Sequence, residues 1–103
     1  MTRTDLHTHM ETTFRDCLEI AKAKNADYAS DADPFTNFRL TEHLGLCDVP
    51  TGIMVRMADK VSRIANLLTA EAQVKDESVE DTLKDLINYS AILLGYLETA
   101  RDE

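Results

Sequence analysis

Arg56-Met57-Ala58-Asp59-Lys60-Val61-Ser62-Arg63 carries two helical registers at once. Ile53, Met57, Val61, Ile64 and Leu68 recur at a three-to-four spacing that marks one buried face, so the stretch is the middle of an amphipathic helix. Arg56, Asp59, Lys60 and Arg63 keep a second register at i, i+3, i+4 and i+7, a stripe of three cations and one carboxylate within mutual reach. At roughly 100° per residue the stripe is centred about 130° from the middle of the apolar face. Its inner edge therefore meets the core boundary, where side chains can look into a cleft.

Outward from this stretch, Pro50-Thr51-Gly52 opens the helix with Thr51 as expected N-cap, and the pattern runs to about residue 72. After a connector over residues 73–77, Ser78 caps a last helix that continues to about residue 100, with Glu80 and Asp81 in its first turn. So short a connection makes the two long helices antiparallel neighbours. Val79, Leu83, Leu86, Ile87, Ser90, Leu93, Leu94 and Leu97 form the apolar face of the last helix. Glu77, Asp81, Asp85 and Asn88 line the other side at i, i+4, i+8 and i+11. Like charges four apart repel unless a cation lies between them, which a divalent metal or the Arg56, Lys60 and Arg63 stripe would supply. Tyr89 and Ile92 continue the acidic side, so the helix is expected to be buried on two sides, one of them against another subunit.

On the N-terminal side, Leu6, Met10, Phe14, Cys17, Leu18 and Ala21 predict a helix over residues 5–24, with the mostly polar residues 1–5 expected to fray. His7 and His9 point in different directions on such a helix and make no metal pair by themselves. Residues 25–34 read as a loop rich in Asn, Asp and Ser. Its three aspartates lack the glycine and terminal Glu of a calcium loop. Tyr28, Phe35 and Phe38 gather around it, as a hydrophobic anchor or as the wall of a pocket where a planar base stacks. A short helix from Pro34 or Phe35 to about Leu44 follows, capped by Asp33 and ended by Gly45. That glycine separates His43 from Cys47, and a zinc site would need two more ligands.

Composition agrees with this series of helices. A chain of 103 residues, 44% hydrophobic and with only three Gly and two Pro, makes one all-α domain over residues 1–103, a bundle of about four helices. A net charge of −8 argues against binding DNA or RNA duplexes, which draw on clustered Lys and Arg, but leaves small anionic ligands open. Cys17 and Cys47 show no CxxC spacing, and no apolar run approaches the roughly 20 residues that span a bilayer. A reducing cytoplasm is the expected compartment, with no membrane partner.

Four segments in order, Lys24-Asn25-Ala26-Asp27-Tyr28, Asp33-Pro34-Phe35-Thr36-Asn37-Phe38-Arg39, Arg56 to Arg63 with Asn66-Leu67, and Val74 to Tyr89, resemble the nucleotide modification associated domain 1 family. The resemblance implies a small helical domain, frequent in phages and linked to altered nucleotides, acting in the cytoplasm of a bacterial host. More distantly, the chain is similar to the MazG-like all-α nucleotide pyrophosphohydrolases, which hold Mg²⁺ between two acidic helix motifs. That similarity implies a metal set of Glu77, Asp81 and Asp85, but Asp59, Lys60 and Arg63 stand where two glutamates would be expected.

These readings converge on a (deoxy)nucleotide or modified nucleotide as ligand. The candidate ligand-binding residues are Lys24, Asn25, Asp27, Tyr28, Phe35, Asn37, Phe38, Arg39, Arg56, Asp59, Lys60, Arg63 and Asn88, the cations for phosphate and the aromatic and amide groups for base and sugar. Three functions fit the pattern. One is nucleotide binding with Mg²⁺-dependent pyrophosphohydrolysis, a second is a non-catalytic sponge or sensor for a defence signalling nucleotide, and a third is a structural assembly domain whose charges neutralise each other. A homo-oligomer, dimer or higher, is expected in each case.

Overall fold

A computed structural model describes residues 1–28, 33–69 and 78–101, and of residues 25–28 the backbone alone. The described residues form four helices, α1 (Arg3–Tyr28), α2 (Thr36–His43), α3 (Val49–Thr69) and α4 (Val79–Arg101). The bundle is organised on the antiparallel pair α3 and α4, with α1 packed on α4 and α2 on α3.

Each helix start has a local cause. Thr2 and Asp5 cap α1 reciprocally, the Asp5 amide donating to Thr2 Oγ1 at 3.1 Å and the Thr2 amide to Asp5 Oδ2 at 3.0 Å. The first residues are thus held in a capping box where fraying was expected, and the Thr2 amide and hydroxyl together lower the Asp5 pKa. At the other end α1 runs four residues beyond its expected stop. Asn and Asp cost a helix only about 0.7 kcal/mol each relative to Ala, and neither Gly nor Pro intervenes before Pro34. α2 starts at Thr36 with Phe35 in the N-cap place and no side-chain cap bond, not under the expected Asp33 cap, because Asp33 is engaged in the turn before it, accepting the Phe35 amide at 3.1 Å on Oδ1 and the Thr36 hydroxyl at 2.6 Å on its carbonyl. Gly45, at φ 74°, closes the same helix. Its amide reaches the Glu42 carbonyl and the Leu46 amide the Thr41 carbonyl, both at 3.0 Å, the two bonds of a Schellman motif.

Two caps divide the sequence reading. Asp48, not Thr51, caps α3: its Oδ1 accepts the Thr51 amide at 2.8 Å. Thr51 stands inside the first turn beside Pro50. Ser78 caps α4 as expected, its Oγ accepting the Asp81 amide at 3.1 Å.

Full burial is confined to Cys17, Val49, Ile53 and Thr82 among the described residues. Thr82 is fully covered with its polar atom satisfied, the hydroxyl donating to the Ser78 carbonyl at 3.0 Å. On α3 the covered face is rotated toward the charged stripe. Ile53 is buried and Met57, Ile64 and Leu67 are half-buried, whereas Val61 and Leu68 are exposed and Lys60 is covered instead. The long lysine stem lies along the helix interface and delivers its ammonium to an acid on α4.

Candidate functional site

The central acid is Asp85. Burial by itself would raise its pKa, but the ammonium groups of Lys24 and Lys60 outweigh burial and hold the carboxyl below the usual range. Lys24 Nζ, from α1, lies 3.0 Å from Oδ1, and Lys60 Nζ, from α3, lies 3.2 Å from Oδ2. One carboxylate on α4 thus ties three helices together. Lys60 is the better covered of its two partners, 15% exposed against 58% for Lys24.

Beside this triad opens a cleft of about 540 Å³, within the size range of small-molecule sites. Its walls come from α1 (Ala21, Lys24), from Pro34 with Asn37 and Phe38 of α2, and from Arg56 of α3. Asp85, Asn88, Tyr89 and Ile92 supply the α4 wall at i, i+3, i+4 and i+7, which puts all four on one helix face. Phe38 meets Tyr89 edge-to-face at 6.4 Å between ring centres. Asn88 is pinned by its Nδ2 donating to the Cys17 carbonyl at 3.0 Å. Two cations, Lys24 and Lys60, thus meet a single carboxylate and a third, Arg56, lines the cleft beside them, in a chain of net charge −8.

The candidate residues divide. Lys24, Asn37, Phe38, Arg56, Lys60 and Asn88 are brought together at the cleft or its triad. Phe35 is turned away as an anchor, edge-to-face on Tyr96 at 5.3 Å. Arg39 serves the same corner: its Nε binds Asp33 at 3.1 Å, its guanidinium lies 5.6 Å over the Tyr96 ring, and the Asp33 hydrogen bond raises its pKa. Asp59 and Arg63 are exposed on α3 and do not line the cleft. The side chains of Asn25, Asp27 and Tyr28 lie outside the described residues, as does Glu77. Of the remaining acids in the expected metal set, Asp81 is exposed and Asp85 has both oxygens turned to lysines. No group of three His, Cys, Asp or Glu side chains able to hold a metal ion occurs among the described residues.

Tyr89 and Ile92 were expected to make the acidic side of α4 a second buried side, and within the chain they are walls of the cleft. Their spacing from Asp85 and Asn88 was the signal that a mixed polar and apolar face looks into a pocket. No described helix is long and apolar enough to cross a membrane.

Residues 51–96 match the model of the family described as Nucleotide modification associated domain 1. The match spans most of α3 and α4, including Arg56, Lys60, Asp85, Asn88 and Tyr89, and does not reach the resembling segments around Lys24 and Phe35. No curated protein and no solved structure matches the chain, so the pyrophosphohydrolase similarity rests on the sequence pattern alone.

Proposed function

We propose that the chain binds a (deoxy)nucleotide or modified nucleotide in the cleft between its four helices, with phosphate at Lys24, Arg56 and Lys60. The observation that carries this reading is the convergence of Lys24 and Lys60, from different helices, on one acid at the edge of a cleft walled by aromatic rings. A phosphate group carries more negative charge than one carboxylate and offers more acceptor oxygens. It draws charge-assisted hydrogen bonds from ammonium groups that Asp85 already holds in place. The Phe38 and Tyr89 rings offer apolar surface to a base, and Asn37 offers an amide. The family description, which names nucleotide modification, supports the same ligand class.

Calorimetry with a panel of deoxynucleoside mono- and triphosphates and cyclic dinucleotides, with and without Mg²⁺, tests the proposal. At least one ligand is expected to bind, and Arg56→Ala, at an exposed position, to weaken it about tenfold, equivalent to 1.4 kcal/mol. Binding without product formation identifies a sponge or sensor. Turnover that requires Mg²⁺ and is lost in Asp81→Ala identifies a pyrophosphohydrolase. A second reading, a charge layer that only holds helices together, is favoured by the short Lys–Asp85 distances. It is the answer if no nucleotide binds while Lys60→Ala still lowers the melting temperature.

A further inference from the structure

We propose that the anion received by the cleft is a single terminal phosphate monoester, which makes the ligand a nucleoside monophosphate and neither a triphosphate nor a cyclic phosphodiester. The inference rests on the reading of the cleft as a nucleotide site and narrows it.

Charge is the first observation. Lys24 and Lys60 share the carboxylate of Asp85, at 3.0 and 3.2 Å, so the triad keeps one positive charge over. Arg56 adds a second, because it is exposed, lines the cleft and has no ion-pair partner among the described residues. The neighbouring cations Lys84 and Arg39 add nothing. Neither lines the cleft, and each faces an acid of its own, Asp16 at 4.0 Å and Asp33 at 3.1 Å. Among the described residues, cleft and triad together thus carry a surplus of two positive charges. A phosphate monoester brings about two negative charges at pH 7, its second pKa lying near 6, whereas each phosphodiester brings one. The monoester also has three acceptor oxygens, so that Lys24 on α1 and the Arg56 fork on α3 each take their own.

The order of side chains along α4 is the second observation. From Asp85 through Asn88 and Tyr89 to Ile92 the wall passes from charged to amide to apolar, a rise of about 10 Å. Phosphate at the Asp85 end leaves the base beside Phe38, Tyr89 and Ile92. Between them Asn88, its Nδ2 held by the Cys17 carbonyl, has its amide oxygen to offer a sugar hydroxyl. A second or third phosphate continues past Asp85 toward the helix start. There Asp81 follows one turn on along the same side of α4, exposed and without an ion-pair partner among the described residues. Its charge repels a polyphosphate chain.

Calorimetry at about pH 7.5, where the monoester is fully ionised, tests the inference with each deoxynucleoside as its 5′-monophosphate, 5′-triphosphate and 3′,5′-cyclic monophosphate. For whichever base binds, the 5′-monophosphate is expected to bind about tenfold more tightly than either other form. Arg56→Ala is expected to cut its lead over the cyclic form to about twofold, since the unpaired cation is gone. Should Arg56→Ala lower the ligand-free melting temperature, Arg56→Gln decides in its place. A triphosphate, with or without Mg²⁺, or a cyclic form that binds as tightly as the monophosphate overturns the inference and leaves nucleotide binding standing. So does a preference that survives the Arg56 variant undiminished. Binding of no form with any base overturns both.

Discussion

Asp85 accepts two ammonium groups from two helices, which makes it the residue whose removal reaches furthest. Asp85→Asn leaves Lys60 covered and without its anion, at a cost of about 1 kcal/mol, between that of a surface pair and that of a buried charged hydrogen bond. For a domain of this size that lowers the melting temperature by roughly 4–8 °C. The pH dependence has a definite sign. A carboxyl whose folded pKa is depressed contributes stability above its unfolded value of about 3.9 and loses it as pH falls through the folded value. The gap between wild type and Asp85→Asn is therefore expected to be full at pH 6 and to narrow below about pH 4, measured by thermal melts. Part of this triad was legible in the sequence, because opposed cationic and acidic stripes on neighbouring helices must meet somewhere. The share taken by Lys24 was not. It depends on where α1 crosses α4, which no periodicity encodes.

Helix ends were more legible than helix faces. Ser78 and Gly45 act as read, since a serine before an acidic turn and a glycine after a short helix each have few alternatives. Asp48 and Thr51 are both competent caps, and Pro50 between them is compatible with either, so only the geometry decides for Asp48. Asp48→Ala is accordingly expected to cost about 1 kcal/mol in chemical denaturation, and Thr51→Ala distinctly less. Equal losses would return the cap to Thr51. The α3 face was misread by about one residue because Lys60 scores as polar while its stem packs as a hydrocarbon. Thr82 escaped notice for the complementary reason: its own helix satisfies its hydroxyl, which lets a polar residue be buried completely.

At the scale of the molecule, helix number, order and the antiparallel final pair follow from apolar spacing and connection length. The uncovered surface does not. Tyr89 and Ile92 drew attention because they interrupt an acidic face, whereas Leu6, Met10, Phe14 and Leu18 on α1 make an ordinary amphipathic pattern that discloses its exposure only once the helices are placed. If the expected homo-oligomer forms, melting temperature rises with protein concentration, because association draws the folded state by mass action. A melting point constant over a hundredfold dilution would count against it.

So few fully buried side chains among the described residues have a thermal consequence as well. The heat-capacity increment on unfolding scales with the apolar area released to water, and a typical chain of this length gives about 1.2–1.5 kcal/mol/K. With burial centred on Cys17, Val49, Ile53 and Thr82, one isolated protomer should fall below that range in scanning calorimetry, and its stability curve should be correspondingly flat. If chains associate, the area hidden between them adds to the increment, so a dilution series followed by calorimetry reads how much apolar area the association covers.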